Sequence, residues 1–266
     1  MQLEESIEKY SVAGLGVVAI SYDTVEILKS FDDRMGGFSY SMLADPNSEI
    51  IETFGLRNPT PAPGSRTDGM AFPGSYIVNA DGIVQEKFFE KNARIRPTAE
   101  TVLMKTFGAD GGRRTEVQLP QFNFAAYASQ DSWRPGNTIV LVVDFDLPDR
   151  MHLYAPGSDY TAANLSIVET EHVLQNRLDL PEHEILYLEP IDESVPVYHG
   201  TPQIQREITL SPLYDGEIVS VDAILTHQVC DDEICYPPAD FELTFHFDVI
   251  QHDRQRAPES IRHPEG

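Results

Sequence analysis

The chain has 266 residues, 41% of them hydrophobic, which is enough for two separate cores. Its formal net charge of −24 argues against nucleic acid and anionic membrane surfaces as partners, since both are bound through clustered Lys and Arg. No apolar run approaches the ~20 residues of a membrane helix, so no membrane insertion is expected.

The acidic, amphipathic start Met1-Gln2-Leu3-Glu4-Glu5-Ser6 does not read as a signal peptide, and none is expected in this stretch. Leu3, Ile7 and Tyr10 recur at helical spacing and read as the end of a helix. Gly16–Tyr22 is short, apolar and rich in branched residues, the pattern of a buried parallel strand. Val25, Leu28 and Phe31 mark a helix after Asp23, and Ser41–Ala44 is a second short strand. Asp45-Pro46 predicts a helix start, with Asp as N-cap and Pro in the first turn. Ile50, Ile51 and Phe54 would form its buried face, and Gly55 would end it. Gly74–Asn79 and Gly82–Phe89 flank Ala80-Asp81 and read as a hairpin. A last helix spans about Thr98 to Phe107 and stops at Gly108. Asp23, Asp45 and Asp81 are better explained as caps and turns than as catalytic carboxylates.

Residues 108–114, with Ala109-Asp110-Gly111-Gly112, read as a linker. Beyond it the pattern changes to short strands. Val143, Phe145 and Leu147 alternate with acidic residues, and Phe241, Leu243, Phe245, Phe247 and Val249 alternate with polar ones. Similar stretches at Leu165–Val168, Ile185–Leu188, Ile204–Leu210 and Ile218–Leu225 predict a β-sandwich over 115–250. Trp133 precedes a strand and would anchor a turn. Residues 251–266 are polar and are expected to be disordered.

The two cysteines, Cys230 and Cys235, sit five positions apart in Cys-Asp-Asp-Glu-Ile-Cys-Tyr-Pro-Pro. They can form one local disulfide, so thiol–disulfide chemistry is the first hypothesis. A structural staple gains less, because closing so short a loop restricts the unfolded chain only a little. Asp231, Asp232 and Glu233 are like charges beside the sulfurs and should raise the thiol pKa. A rival reading is a metal site of His227, Cys230 and Cys235 with His199 or His246 as a fourth ligand. Zinc knuckles usually space their cysteines more tightly, and no metal or other cofactor is expected. No nucleophile elbow, P-loop or dinucleotide fingerprint is present.

Three segments carry a resemblance in the first part: Val17–Asp23, Leu43-Ala44-Asp45-Pro46 with Phe54-Gly55, and Phe72–Val78 with Asp81-Gly82. In this order they resemble the AhpC/TSA and redoxin branch of the peroxiredoxins, and residues 1–107 are similar to an α/β thioredoxin-like domain. The resemblance implies a cis peptide bond at Pro73, opposite the active site; the residues by themselves equally allow an ordinary trans proline opening a strand. It also implies a reactive cysteine before the long first helix, yet residues 1–107 contain none. Without a thiolate no peroxidase activity is expected from this stretch. The expectation is a domain truncated at its N-terminus, with the cysteine segment upstream of residue 1; the alternative is a degenerate scaffold that lacks the cysteine.

The cysteine run resembles the N-terminal domain of the thiol:disulfide interchange protein DsbD, an immunoglobulin-like sandwich with its redox pair on adjacent strands. The resemblance covers about 115–250. It implies that His152-Leu153-Tyr154 lies beside the pair, that Pro196–Gly200 caps it, and that Cys235 attacks. Tyr154 and Tyr198 would shield the sulfurs or be ordinary core aromatics. The cysteine spacing is shorter than in the best-known members. The expected function is a thiol–disulfide oxidoreductase working through Cys230 and Cys235. Its partner would be a thioredoxin-fold protein or the chain's own N-terminal domain. The alternative is a non-catalytic, protein-binding scaffold with a structural disulfide. The compartment, cytoplasmic or periplasmic, is left open.

Overall fold

The computed structural model describes residues 2–92, 94–189, 192–253, 255 and 257–262. It divides into two compact units, Met1–Ala109 with His252–Gly266, and Asp110–Gln251.

The first unit runs α1 (Gln2–Glu5), α2 (Ile7–Val12), β1 (Val18–Ser21), α3 (Val25–Met35), β2 (Ser41–Ala44), α4 (Glu49–Thr53), β3 (Gly74–Val78), β4 (Val84–Phe89), β5 (Arg96–Pro97) and α5 (Ala99–Phe107). The order of helices, strands and hairpin follows the sequence pattern. β1 and β2 pair in parallel and β3 and β4 pair antiparallel, and among the described residues no ladder joins the two pairs. The strand expected to be buried is half open: Val18 is 58% and Ile20 42% exposed.

The start of α4 is displaced from its expected place. Asp45 still caps it, accepting from the amides of Glu49 and Ile51 at 3.0 and 2.9 Å. Pro46 and Asn47 form a turn, however, and Ser48 takes a left-handed φ of 57° before the helix begins. Ser48 is held there by donating from its hydroxyl to the Gly69 carbonyl at 2.8 Å. Only Ile51 of the expected apolar face is buried. α3 is capped by Thr24, not Asp23, and α5 by Thr98, with Gly108 closing α5 at φ 63°. The Phe72–Pro73 bond is trans, against the cis geometry the resemblance implies. Pro73 lies just before β3, and its carbonyl accepts from Glu90 at 3.1 Å. A residue entering a strand there needs no amide of its own, so trans proline fits without strain.

The expected disordered tail behaves otherwise where it is described. Arg34 bridges Asp253 at 3.1 Å and donates to the Gln255 carbonyl at 2.9 Å, and Glu259–Ile261 form a 3-10 turn. Residues 263–266 lie outside the described residues.

The named elements of the second unit are strands: β6 (Thr115–Gln118), β7 (Asn123–Ala128), β8 (Ser132–Trp133), β9 (Asn137–Asp146), β10 (His152–Tyr154), β11 (Asn164–Ile167), β12 (Val173–Asp179), β13 (Glu184–Leu188), β14 (Glu193–Tyr198), β15 (Gln203–Leu210), β16 (Ile218–His227), β17 (Val229–Cys230) and β18 (Ala239–Val249). One sheet runs β12-β15-β9-β7-β6, a second β11-β16-β18-β8, and a third β13-β14-β10-β17. Alternation sets their faces. Along β16, Val219, Val221, Ala223 and Leu225 are buried while Ile218, Ser220 and Asp222 are not. The inward side chains of β9 and β15 meet those of β16 and β18 in one apolar core. Trp133, with no exposed surface, packs on Phe247 and donates to the Asn137 carbonyl at 2.8 Å, so it anchors both core and turn.

The third sheet carries a smaller apolar cluster on its other face: Tyr154, Val195, Val197 and Cys230, with Tyr160, Leu186 and Leu188 against them.

Candidate functional site

Cys230 ends β17, a two-residue edge strand paired antiparallel with β10. The chain then turns through Asp231-Asp232-Glu233-Ile234 and brings Cys235 back opposite Cys230 in an isolated antiparallel bridge. The sulfurs are bonded, and the Cα atoms are 4.1 Å apart. Asp231 builds the turn: its carboxylate accepts from the amides of Glu233 and Ile234 at 2.8 and 2.7 Å. Its own amide donates to the Ile234 carbonyl at 2.9 Å. These amides hold the Asp231 carboxyl below its ordinary pKa. Asp232 pairs with Arg150. Two of the three acidic neighbours of the sulfurs are thus engaged, Asp231 by backbone amides and Asp232 by Arg150.

The two sulfurs live in different surroundings. Cys230 has no exposed surface, whereas Cys235 is exposed. Tyr154 reaches both from β10: its hydroxyl is 3.2 Å from Cys230 Sγ and 3.6 Å from Cys235 Sγ. Burial, helped by Tyr160 and Glu193, pushes the Tyr154 phenol up to about 12, so it keeps its proton through the neutral range. Its ring is stacked on Tyr160, centroids 4.2 Å apart and planes within 3°. Tyr160 was not among the residues singled out by sequence. It sits in a loop with no periodic pattern, six positions past Tyr154, and only the fold brings it over the ring.

His152 is the ladder partner of Cys230 and is 3% exposed. Tyr198 is placed differently from its neighbours in sequence. Val197 opposes Tyr154 in the β10–β14 ladder, and Tyr198 opposes Leu153. Successive strand residues point to opposite faces, so Tyr198 enters the main core and not the cysteine cluster. Pro196–Tyr198 lies within β14, where the resemblance implied a capping loop. Pro73 lies in the first unit, and its bond is trans.

The side chains of the rival metal reading are dispersed. His227 packs edge-on to Phe122 at 5.1 Å, His246 faces Ser220 at 2.9 Å, and His199 pairs with Glu184 at 3.3 Å. Among the described residues no group of three His, Cys, Asp or Glu side chains converges as a metal site would require.

Residues 1–87 match the family model of the AhpC/TSA family, and residues 119–245 match that of the thiol:disulfide interchange protein DsbD, N-terminal. Among solved structures, the chain is similar to the DsbD N-terminal domain of Neisseria meningitidis in its reduced form. Identity there is 23%, covering 41% of this chain and 82% of that one, with a TM-score of 0.27. It is also similar to the N-terminal periplasmic domain of ScsB from Proteus mirabilis, at 14% identity over 50% of this chain and 49% of that one, TM-score 0.34. No curated protein matches. The chain therefore joins a segment similar to the AhpC/TSA family to a mostly β segment similar to the N-terminal domain of DsbD.

Proposed function

We propose that this protein exchanges disulfides with a partner protein through Cys230 and Cys235, and that Cys235 is the sulfur the partner meets. The observation that carries this reading is the asymmetry of the pair: Cys235 is exposed while Cys230 has no exposed surface. A thiol reaching the bond from solvent has access to Cys235 alone. Attack on Cys235 Sγ forms a mixed disulfide and expels Cys230 as a thiolate, which accepts a hydrogen bond from the Tyr154 hydroxyl. A second partner thiolate then attacks the partner's sulfur in the mixed disulfide and frees Cys235. In the opposite direction the same steps oxidise the pair.

The two family matches support the reading, since one carries thiol:disulfide interchange in its name. We read the second unit as an immunoglobulin-like sandwich and residues 1–107 as the later elements of a thioredoxin-like domain, supported by the element order. With no cysteine in 1–107, peroxide chemistry is not assigned to them. A thioredoxin-fold protein with its own cysteine pair is the partner that suits this exchange.

The test is the reduction potential of the pair, measured by thiol trapping across a dithiothreitol or glutathione series. A midpoint within about −120 to −270 mV, the span of exchange proteins, is expected. A pair still oxidised below about −300 mV would instead be a structural staple in a binding scaffold.

A further inference from the structure

Exchange as described moves protons at Cys230 without naming the group that takes them. Cys230 has no exposed surface, so water does not reach it directly. Tyr154 cannot serve, because its phenol, pushed up to about 12, already holds its proton near neutral pH and is no base. One group on the same face is otherwise unexplained. His152 is 3% exposed, and its Nε2 is buried without a hydrogen-bond partner among the described residues. Most buried side-chain polar atoms have a partner, and each exception calls for an explanation, a role in chemistry among them. His152 stands directly opposite Cys230 in the β10–β17 ladder. Opposed residues share a face, with Cβ atoms about 5 Å apart.

We propose that His152 is the base that receives the Cys230 proton when the disulfide closes. The inference rests on the exchange reading above. In the reduced protein, Cys235 loses its proton to solvent, attacks a partner disulfide and forms a mixed disulfide, releasing one partner thiolate. Cys230 then passes its proton to His152 Nε2, and its thiolate attacks Cys235 Sγ. The Cys230–Cys235 bond forms and the second partner thiolate leaves. His152 gives its proton to solvent, and the two released thiolates take up two protons. The protein pair is oxidised by two electrons and the partner disulfide is reduced by two.

The surroundings suit a neutral base. The His199 ring lies 5.9 Å away and is itself held by Glu184 at 3.3 Å, and the Tyr154 ring stands edge-on at 5.3 Å. Asp231 and Asp232 approach from the β17 turn, with Arg150 on Asp232. Burial first, then His199, lowers the His152 pKa, and the two aspartates pull it back up. The ring is neutral near pH 7 and accepts the proton that Cys230 releases as it becomes a thiolate.

The experiment follows glutathionylated Cys235 by acid quench and mass spectrometry after mixing the reduced full chain with glutathione disulfide. The wild type and His152→Gln are compared from about pH 5 to 9. In the wild type, closure should rise with pH to a midpoint at or below the ordinary imidazole value of about 6.5. In His152→Gln that midpoint should vanish, closure should slow at least about tenfold near pH 7, and the mixed disulfide should accumulate. An unchanged rate and profile in His152→Gln would overturn the role while leaving exchange itself intact. If the variant does not fold, the wild-type profile decides: a sole midpoint near the thiol value of about 8.5 rules the base out. A wild-type pair that never forms the mixed disulfide overturns the exchange reading and this inference with it.

Discussion

The hydroxyl of Tyr154 lies 3.2 Å from Sγ of Cys230, inside an apolar cluster that Val195 and Val197 complete. Opening the disulfide leaves a thiol or thiolate there, and the phenol is placed to stabilise it. Tyr154→Phe keeps the ring that stacks on Tyr160 and removes only the donor. A net hydrogen bond of about 1–1.5 kcal/mol is lost from the reduced state. The potential should fall by about 30 mV, read by thiol trapping against glutathione. A potential that does not move would mean the hydroxyl serves both redox states equally.

The unequal exposure of the two sulfurs predicts unequal single variants. Cys230→Ser leaves the exposed thiol, which should form a stable adduct with glutathione disulfide. Cys235→Ser leaves only the thiol with no exposed surface, and adduct formation should be at least about tenfold slower. Mass spectrometry of both variants after equal incubation gives the comparison. Similar rates would show that the turn opens often enough to expose Cys230.

Asp231 fastens the turn between the cysteines through two amides, and its pKa is lowered by them. A depressed carboxylate contributes stability above its unfolded value and loses it as pH falls through the folded one. Asp231→Ala should therefore lower the melting temperature near pH 7, and the gap from wild type should close as pH drops below the usual carboxylate range. The amides of Glu233 and Ile234 should also exchange hydrogen faster. Thermal melts at two pH values and amide exchange check both expectations.

Arg206 is a buried cation that ties strands together. Its guanidinium donates to the Leu165 carbonyl at 2.6 Å, the Asn176 carbonyl at 2.8 Å and Asn164 Oδ1 at 3.1 Å. It joins β15 to β11 and β12. Arg206→Met fills the space but orphans all three acceptors. We expect a loss of about 2–4 kcal/mol in urea unfolding of the second unit. A change below about 0.5 kcal/mol would mean water replaces the guanidinium at little cost.

How much of this was legible in the sequence follows from the range of each interaction. The cysteine pair and its turn are local, and the spacing alone announced them. Alternation in β16 and β18 was equally plain, because a period of two needs only neighbours along the chain. Tyr198 shows where such reading stops. It is as close in pattern to the site as Tyr154, yet register puts Val197 opposite Tyr154 and sends Tyr198 to the other face. Register is a relation between strands, and one chain segment does not contain it. Tyr160 was invisible for the same reason. Asp45 was read correctly as a cap, but the left-handed Ser48 depends on a hydrogen bond to Gly69, distant in sequence. Pro73 was assigned its geometry by family likeness, and its bond is trans.

The turn that joins the cysteines does not depend on the S–S bond for its shape. The Tyr236 amide donates to the Val229 carbonyl at 3.0 Å, the Asp231 amide to the Ile234 carbonyl at 2.9 Å, and Asp231 holds two further amides. When the bond opens, these contacts keep the sulfurs facing each other at a very high effective concentration. Any molecule caught on Cys235 is expelled quickly by its neighbour. A physiological partner will therefore be hard to isolate bound to the native protein, and the Cys230→Ser form is the bait from which it can be recovered and identified.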